Sequence, residues 1–130
     1  MVRGIGVDMT EIKEVRRLAE VTDGSFIERT FTEKERKGSF RASDRWEYLA
    51  ARFAAKEAVF KALAHLTREK TFDFREIEIQ NYEDGAPYVV LTSMLQTVLT
   101  EAGVGKLHIS LTHEKEYACA FVVAESTSDH

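Results

Sequence analysis

The stretch FAAKEAVFKAL, residues 53–63, sets Lys56, Glu57 and Lys61 inside a run of Ala, Phe, Val and Leu. Projected at 100° per residue, Trp46, Leu49, Ala50, Phe53, Phe60 and Ala64 share one arc of a helix, and Glu57 falls within it. A carboxylate on a core-facing arc must be protonated, paired with a cation or bound to a metal, because alone in an apolar setting it costs several kcal/mol. Lys61, one turn on, offers an i,i+4 pair, but an exposed pair of that kind is worth only about 0.3–0.5 kcal/mol. A hard cation such as Mg²⁺ accounts better for drawing the group inward, since it takes few protein carboxylates and leaves room for water and phosphate oxygens.

Asp8, closing the apolar VRGIGVD, is the candidate second metal ligand; followed by Glu11, it also fits a helix-capping pattern. Arg45, Arg52, Lys56 and Lys61 lie on or beside the same helix. They read either as a solvated face or as cations for a phosphate-rich ligand, whose oxygens are stabilised by metal and Lys or Arg together. Ser110, Thr112 and His113 in SLTHEKEYA end a strand and can donate to phosphate, although such a histidine is equally an ordinary turn residue. His65 and His108 have no metal-site spacing, and the P-loop, the Rossmann glycine pattern, zinc spacing and the GxSxG elbow are absent. Two acids among several bases point to pyrophosphate chemistry.

These groups need an α+β scaffold. VRGIGVD predicts a buried strand ending at Asp8 and a helix from about Glu11, with Asp23 and Thr32 as caps of two short helices. A long helix is predicted from about Asp44 to Leu66, a hairpin around Asp84-Gly85, a helix from Ser93 stopped by Gly103, and strands in LHISLTH and YACAFVVAE. The expectation is a single domain over 1–125, with a small, mostly antiparallel sheet of about five strands packed on one long helix and several shorter ones. The polar segment 126–130 is expected to be a disordered tail.

One domain also suits 130 residues. A net charge of −4 argues against a general nucleic-acid binder, and no window approaches a membrane-spanning length. The single cysteine, Cys119, forms no internal disulfide and reads as a buried thiol. With no secretory pattern in MVRGIGVDMTEIK, a cytoplasmic protein is expected.

GIGVDMTEI, YLAARFAAKEAVFKAL and ISLTHEKEYACAFVV, in that order, resemble the bacterial holo-acyl-carrier-protein synthases, short 4′-phosphopantetheinyl transferases. The resemblance runs to about Glu125. It implies transfer of the phosphopantetheine arm of coenzyme A to a serine of apo acyl carrier protein for fatty acid biosynthesis, releasing adenosine 3′,5′-bisphosphate. It implies Asp8 and Glu57 as Mg²⁺ ligands and Lys61 as a contact to the coenzyme A phosphates. It places Arg52 and His113 near the nucleotide's 3′-phosphate, and leaves Lys56 between a coenzyme A contact and solvent. Either Glu57 or a metal-associated water would take the serine proton.

It further implies a homotrimer with sites at subunit interfaces, and an acidic carrier docking on the basic helix face of Lys13, Arg16 and Arg17. Two departures stand out. ALAHLTREKTF replaces the family's glycine-containing turn, and Thr10 stands where two-lobed relatives carry an acid. Two other readings use the same residues: a metal-dependent nucleotide or pyrophosphate hydrolase, and an inactive domain that binds coenzyme A or carrier protein.

Overall fold

The computed structural model describes residues 1–68 and 71–127. In chain order the elements are β1 (Val2–Glu11), α1 (Ile12–Val21), α2 (Ser25–Thr30), α3 (Glu33–Arg41), α4 (Arg45–Leu63), β2 (Ile79–Asn81), β3 (Pro87–Val89), α5 (Ser93–Ala102), β4 (Val104–His113) and β5 (Tyr117–Ser126). The α+β class, the antiparallel pairing and the dominant helix are as expected. The five strands, however, divide into a sheet ordered β1-β5-β4 and a separate β2-β3 hairpin. The hairpin lies with β3 beside β4, and its other edge is closed by a side chain: Ile79 N–H, on the open edge of β2, donates to Glu35 Oε2 at 3.0 Å.

β1 runs three residues past the expected end because Met9, Thr10 and Glu11 continue the ladder opposite Cys119, Ala118 and Tyr117. Asp8 therefore lies inside a strand and caps no helix. Asp23 is not a cap either; it turns with φ +53°, and Gly24 occupies the N-cap of α2. Thr32 and Glu35 do form the reciprocal capping box. At the other end of the chain, β5 includes Ser126, and Thr127 N–H donates to the Gly103 carbonyl, so ordered structure passes the expected tail boundary. Residues 128–130 of that tail lie outside the described residues.

α4 begins at Asp44, whose Oδ1 accepts from Trp46 and Glu47 N–H at 3.1 Å. It lies against β1 and β5. Its buried surface there is made of Ala54, Ala55, Ala58 and Ala62 with Val59 and Leu63, and Gly4 and Gly6 face it from β1. A Cβ on Gly6 would overlap the Ala58 carbonyl oxygen, and one on Gly4 that of Ala62. Small residues thus let helix backbone rest on strand backbone. The deepest face of α4 is consequently not the arc of its largest apolar residues. Trp46, Phe53, Glu57 and Phe60 are only partly buried, and Glu57 sits at the margin of the core, where the sequence pattern had it facing inward.

Lys56 overturns its expected role. It is fully buried, and its three ammonium donors go to Glu35 Oε1 (2.7 Å), Phe74 O (2.7 Å) and Ile77 O. None remains for a coenzyme A phosphate. Burial pushes its pKa down and Glu35 opposes that shift. Removing one partner of such a pair leaves an uncompensated buried charge, so Lys56→Ala should cost about 3–5 kcal/mol in urea unfolding, while Lys56→Met with Glu35→Leu recovers much of the loss.

Candidate active site

β1 is an edge strand, and on its helix-facing side Gly4, Gly6, Asp8 and Thr10 follow at period two. The glycines bring α4 close, which sets Glu57 and Lys61 beside Asp8. Lys61 Nζ lies 3.1 Å from Asp8 Oδ1 and 3.1 Å from the Val7 carbonyl oxygen. Thr10 Oγ1 donates to Asp8 Oδ2 at 2.8 Å, so each carboxylate oxygen is held from a different side. The ion pair of Lys61 is thus across to β1 and not along its own helix to Glu57.

Burial raises the pKa of Glu57, the Asp8 charge raises it further, and Lys61 offsets part of this. The two carboxylates lie near enough for their charges to act on one another, with Lys61 paired to Asp8, and together they could hold a cation. Among the described residues no group of three or more His, Cys, Asp or Glu side chains converges. Two carboxylates alone suit a hard ion such as Mg²⁺, which fills its remaining positions with water and substrate phosphate, and they do not suit a structural transition-metal site.

The other candidates separate into three places. Arg52 and His113 line one cleft of about 340 Å³ together with Tyr48, Asn81, Gly85 and Pro87. Arg52 is 5% exposed; its Nη2 donates to Asn81 Oδ1 at 2.6 Å, and its Cζ lies 3.7 Å from the centre of the Tyr48 ring. His113 Nδ1 lies 3.2 Å from Glu47 Oε2. Arg45 is elsewhere: its guanidinium stacks on Phe40 and Trp46 and contacts Ser39 Oγ, and it stands about 18 Å from Glu57 along the helix at 1.5 Å per residue.

Ser110 and Thr112 alternate with Leu111 and His113 on β4, so they point to the sheet face away from α4 and do not reach Asp8 of their own chain. On α1, Lys13, Arg16 and Arg17 are exposed while Ile12, Val15 and Ala19 are buried, so the basic face is open. Arg16 and Arg17 pair within the helix with Glu20 and Glu14.

Sequence reasoning passed over Glu47 and Asn81, and it marked Thr10 only as a departure from the two-lobed relatives, not as a partner of Asp8. Thr10 was within reach of it, since a residue two positions after Asp8 on a strand shares its face. Glu47 and Asn81 gave no signal, because their partners lie 66 and 29 residues away.

The family model described as the 4′-phosphopantetheinyl transferase superfamily matches residues 4–122. A holo-[acyl-carrier-protein] synthase of Desulforudis audaxviator is 40% identical over 129 residues, covering 99% of this chain and 97% of that protein. One from Bacillus subtilis is 38% identical, covering 98% and 99%. The crystal structure of the Neisseria meningitidis holo-[acyl-carrier-protein] synthase superposes with a TM-score of 0.87 at 33% identity, over 97% of this chain and 100% of that one. A Bacillus anthracis synthase in complex with CoA (3′,5′-ADP) gives 0.77 at 32% identity, over 98% and 99%. The chain belongs to the 4′-phosphopantetheinyl transferase superfamily. Its fold is that of the holo-[acyl-carrier-protein] synthases, and among the described residues no helix is long and apolar enough to cross a membrane.

The raised pKa of Glu57 has a stability consequence. Its contribution is fully present below the unfolded-state pKa and is lost as pH rises through the higher folded-state value, so at neutral pH the ionised group is a penalty. In chelator, Glu57→Gln should melt at or above the wild-type temperature at neutral pH, and the difference should shrink as pH falls through the glutamate range. Calorimetry across pH checks this; a Glu57→Gln protein less stable than wild type at neutral pH would contradict the placement.

Proposed function

We propose that this protein transfers the 4′-phosphopantetheine group of coenzyme A to a serine of apo acyl carrier protein, releasing adenosine 3′,5′-bisphosphate. The observation that carries the reading is the set Asp8, Glu57 and Lys61, held on two backbones in direct contact. Asp8 and Glu57 would hold Mg²⁺, which when bound supplies charge neutralisation and alignment at the pyrophosphate. Thr10 fixes the rotation of the Asp8 carboxylate. Lys61, with one ammonium donor beyond those given to Asp8 and Val7, offers it to phosphate oxygens and offsets charge growing on the leaving side. The carrier serine oxygen bonds to the β-phosphorus as the bond to the bridging oxygen breaks, the serine proton passing to Glu57 or to a water beside it and the electron pair leaving with adenosine 3′,5′-bisphosphate, so this chain need supply no nucleophile. The cleft of Arg52 and His113 takes the nucleotide's 3′-phosphate.

The sheet's outer face supports self-association, for which the homotrimer is the form the family resemblance implies. Ile5, Val7, Met9 and Phe121 project from β1 and β5 away from α4; Val7 is 51% and Phe121 45% exposed. An apolar face this open calls for a cover, and a second copy of the chain supplies one of matching character. It would also bring Ser110 and Thr112 against a neighbouring subunit, which gives them a route to a shared site. The carrier protein, being acidic, docks on Lys13, Arg16 and Arg17 of α1, and the enzyme works in the cytoplasm.

Incubation with coenzyme A, Mg²⁺ and apo acyl carrier protein should add the mass of a phosphopantetheinyl group to the carrier. Asp8→Ala and Glu57→Ala should each abolish most transfer while the far-ultraviolet dichroism is kept, and reversing the charge of Arg17 should raise KM for the carrier and flatten its dependence on salt. Cleavage of coenzyme A without a carrier would favour a hydrolase instead, and tight coenzyme A binding without turnover an inactive binding domain. Separately, Phe121→Asp should dissociate the assembly in light scattering; an unchanged mass would place the interface elsewhere.

A further inference from the structure

Arg52 is a buried cation with an incomplete set of partners. One of its N–H groups goes to Asn81, the Tyr48 ring covers a face, and Nε is buried without an acceptor. Burial pushes its pKa down, and among the described residues no carboxylate lies within ion-pair distance of it. A guanidinium in that state suits a planar or tetrahedral anion in the adjoining cleft. Two acids, Asp44 and Glu47, also line the cleft and would oppose such an anion. Both are already engaged: Asp44 caps α4, and the Glu47 carboxylate is covered by His113.

We infer that Glu47 and Asn81 are positioning residues for a phosphate monoester bound by His113 and Arg52. Glu47 Oε2 holds His113 by Nδ1 and leaves Nε2 as the ring nitrogen that can meet an anion. Asn81 is itself held, because its Nδ2 donates to the Gly85 carbonyl at 2.9 Å across the β2-β3 turn. Its Oδ1 is thereby directed at Arg52, and the guanidinium is kept in one plane against Tyr48. Each anion-binding group is thus oriented by a partner from a different element: α4 holds the residue from β4, and the hairpin holds the residue from α4.

The inference rests on the reading that this cleft takes the 3′-phosphate of coenzyme A, and the two are separable with 3′-dephospho-coenzyme A as the comparison substrate. The readout is the ratio of kcat/KM for coenzyme A to that for the dephospho compound, with thermal unfolding as a check on folding. His113→Gln tests the reading, and Glu47→Gln and Asn81→Ala test the inference. A charge-assisted hydrogen bond contributes enough that all three should lower the ratio about tenfold, through KM more than kcat. Asn81→Asp should lower the ratio at least as far as Asn81→Ala, because a carboxylate loses the donor to the Gly85 carbonyl and sets a negative charge on Arg52 beside the phosphate.

A merely structural role for Glu47 or Asn81 would depress both substrates alike and leave the ratio unchanged. A lowered ratio in His113→Gln with an unchanged one in Glu47→Gln and Asn81→Ala overturns the inference and keeps the reading. An unchanged ratio in His113→Gln as well overturns both.

Discussion

Helix α4 rests on strand β1 with backbone against backbone, and the placement of Asp8, Glu57 and Lys61 follows from that contact. A side chain at Gly4 or Gly6 would have to displace the carbonyls of Ala62 or Ala58, so the separation of the two elements is set by atoms that cannot adopt another rotamer. Asp8 lies on one of these elements, Glu57 and Lys61 on the other. Their spacing is therefore a property of main chain, with side-chain torsions as the only remaining adjustment. That arrangement keeps the three charged groups within hydrogen-bond tolerances of one another.

Much of this was legible in the chain, and the parts that were not share a physical cause. Periodicity found α4, its cap at Asp44 and the outlying Glu57, because those signals lie within a few turns of one another. It misjudged which side of α4 was deepest, since hydrophobic weight favours Phe and Trp, whereas the surface packed on β1 and β5 needed alanine. Cys119 shows the same limit. In YACAFVVAE the period of two puts Ala118, Ala120, Val122 and Ala124 inward, and the thiol falls on the outer face, partly exposed. Apolar composition alone had placed it in the core.

The cations sort by what they face and not by their spacing along the helix. Lys61 meets Asp8 at the sheet edge, Arg52 meets Asn81 beneath the hairpin, Arg45 stacks on aromatic rings near the N-terminus, and Lys56 is enclosed. Four basic residues on one helix thus serve four environments. The contacts that separate them come from α3, the hairpin and β1, segments distant in the chain, and a single helical projection contains none of that information.

The enclosed pair of Lys56 and Glu35 bears on how the enzyme can move. Its three acceptors come from α3 and from the segment 74–77, on the far side of α4 from β1. Gripped there and pressed against glycine on the other side, α4 has little freedom to turn about its own axis. Glu57 is the next residue, so any such turn would sweep it away from Asp8. Adaptation to different ligands then has to come from the flanking loops, while Asp8 and Glu57 behave as a fixed reference point.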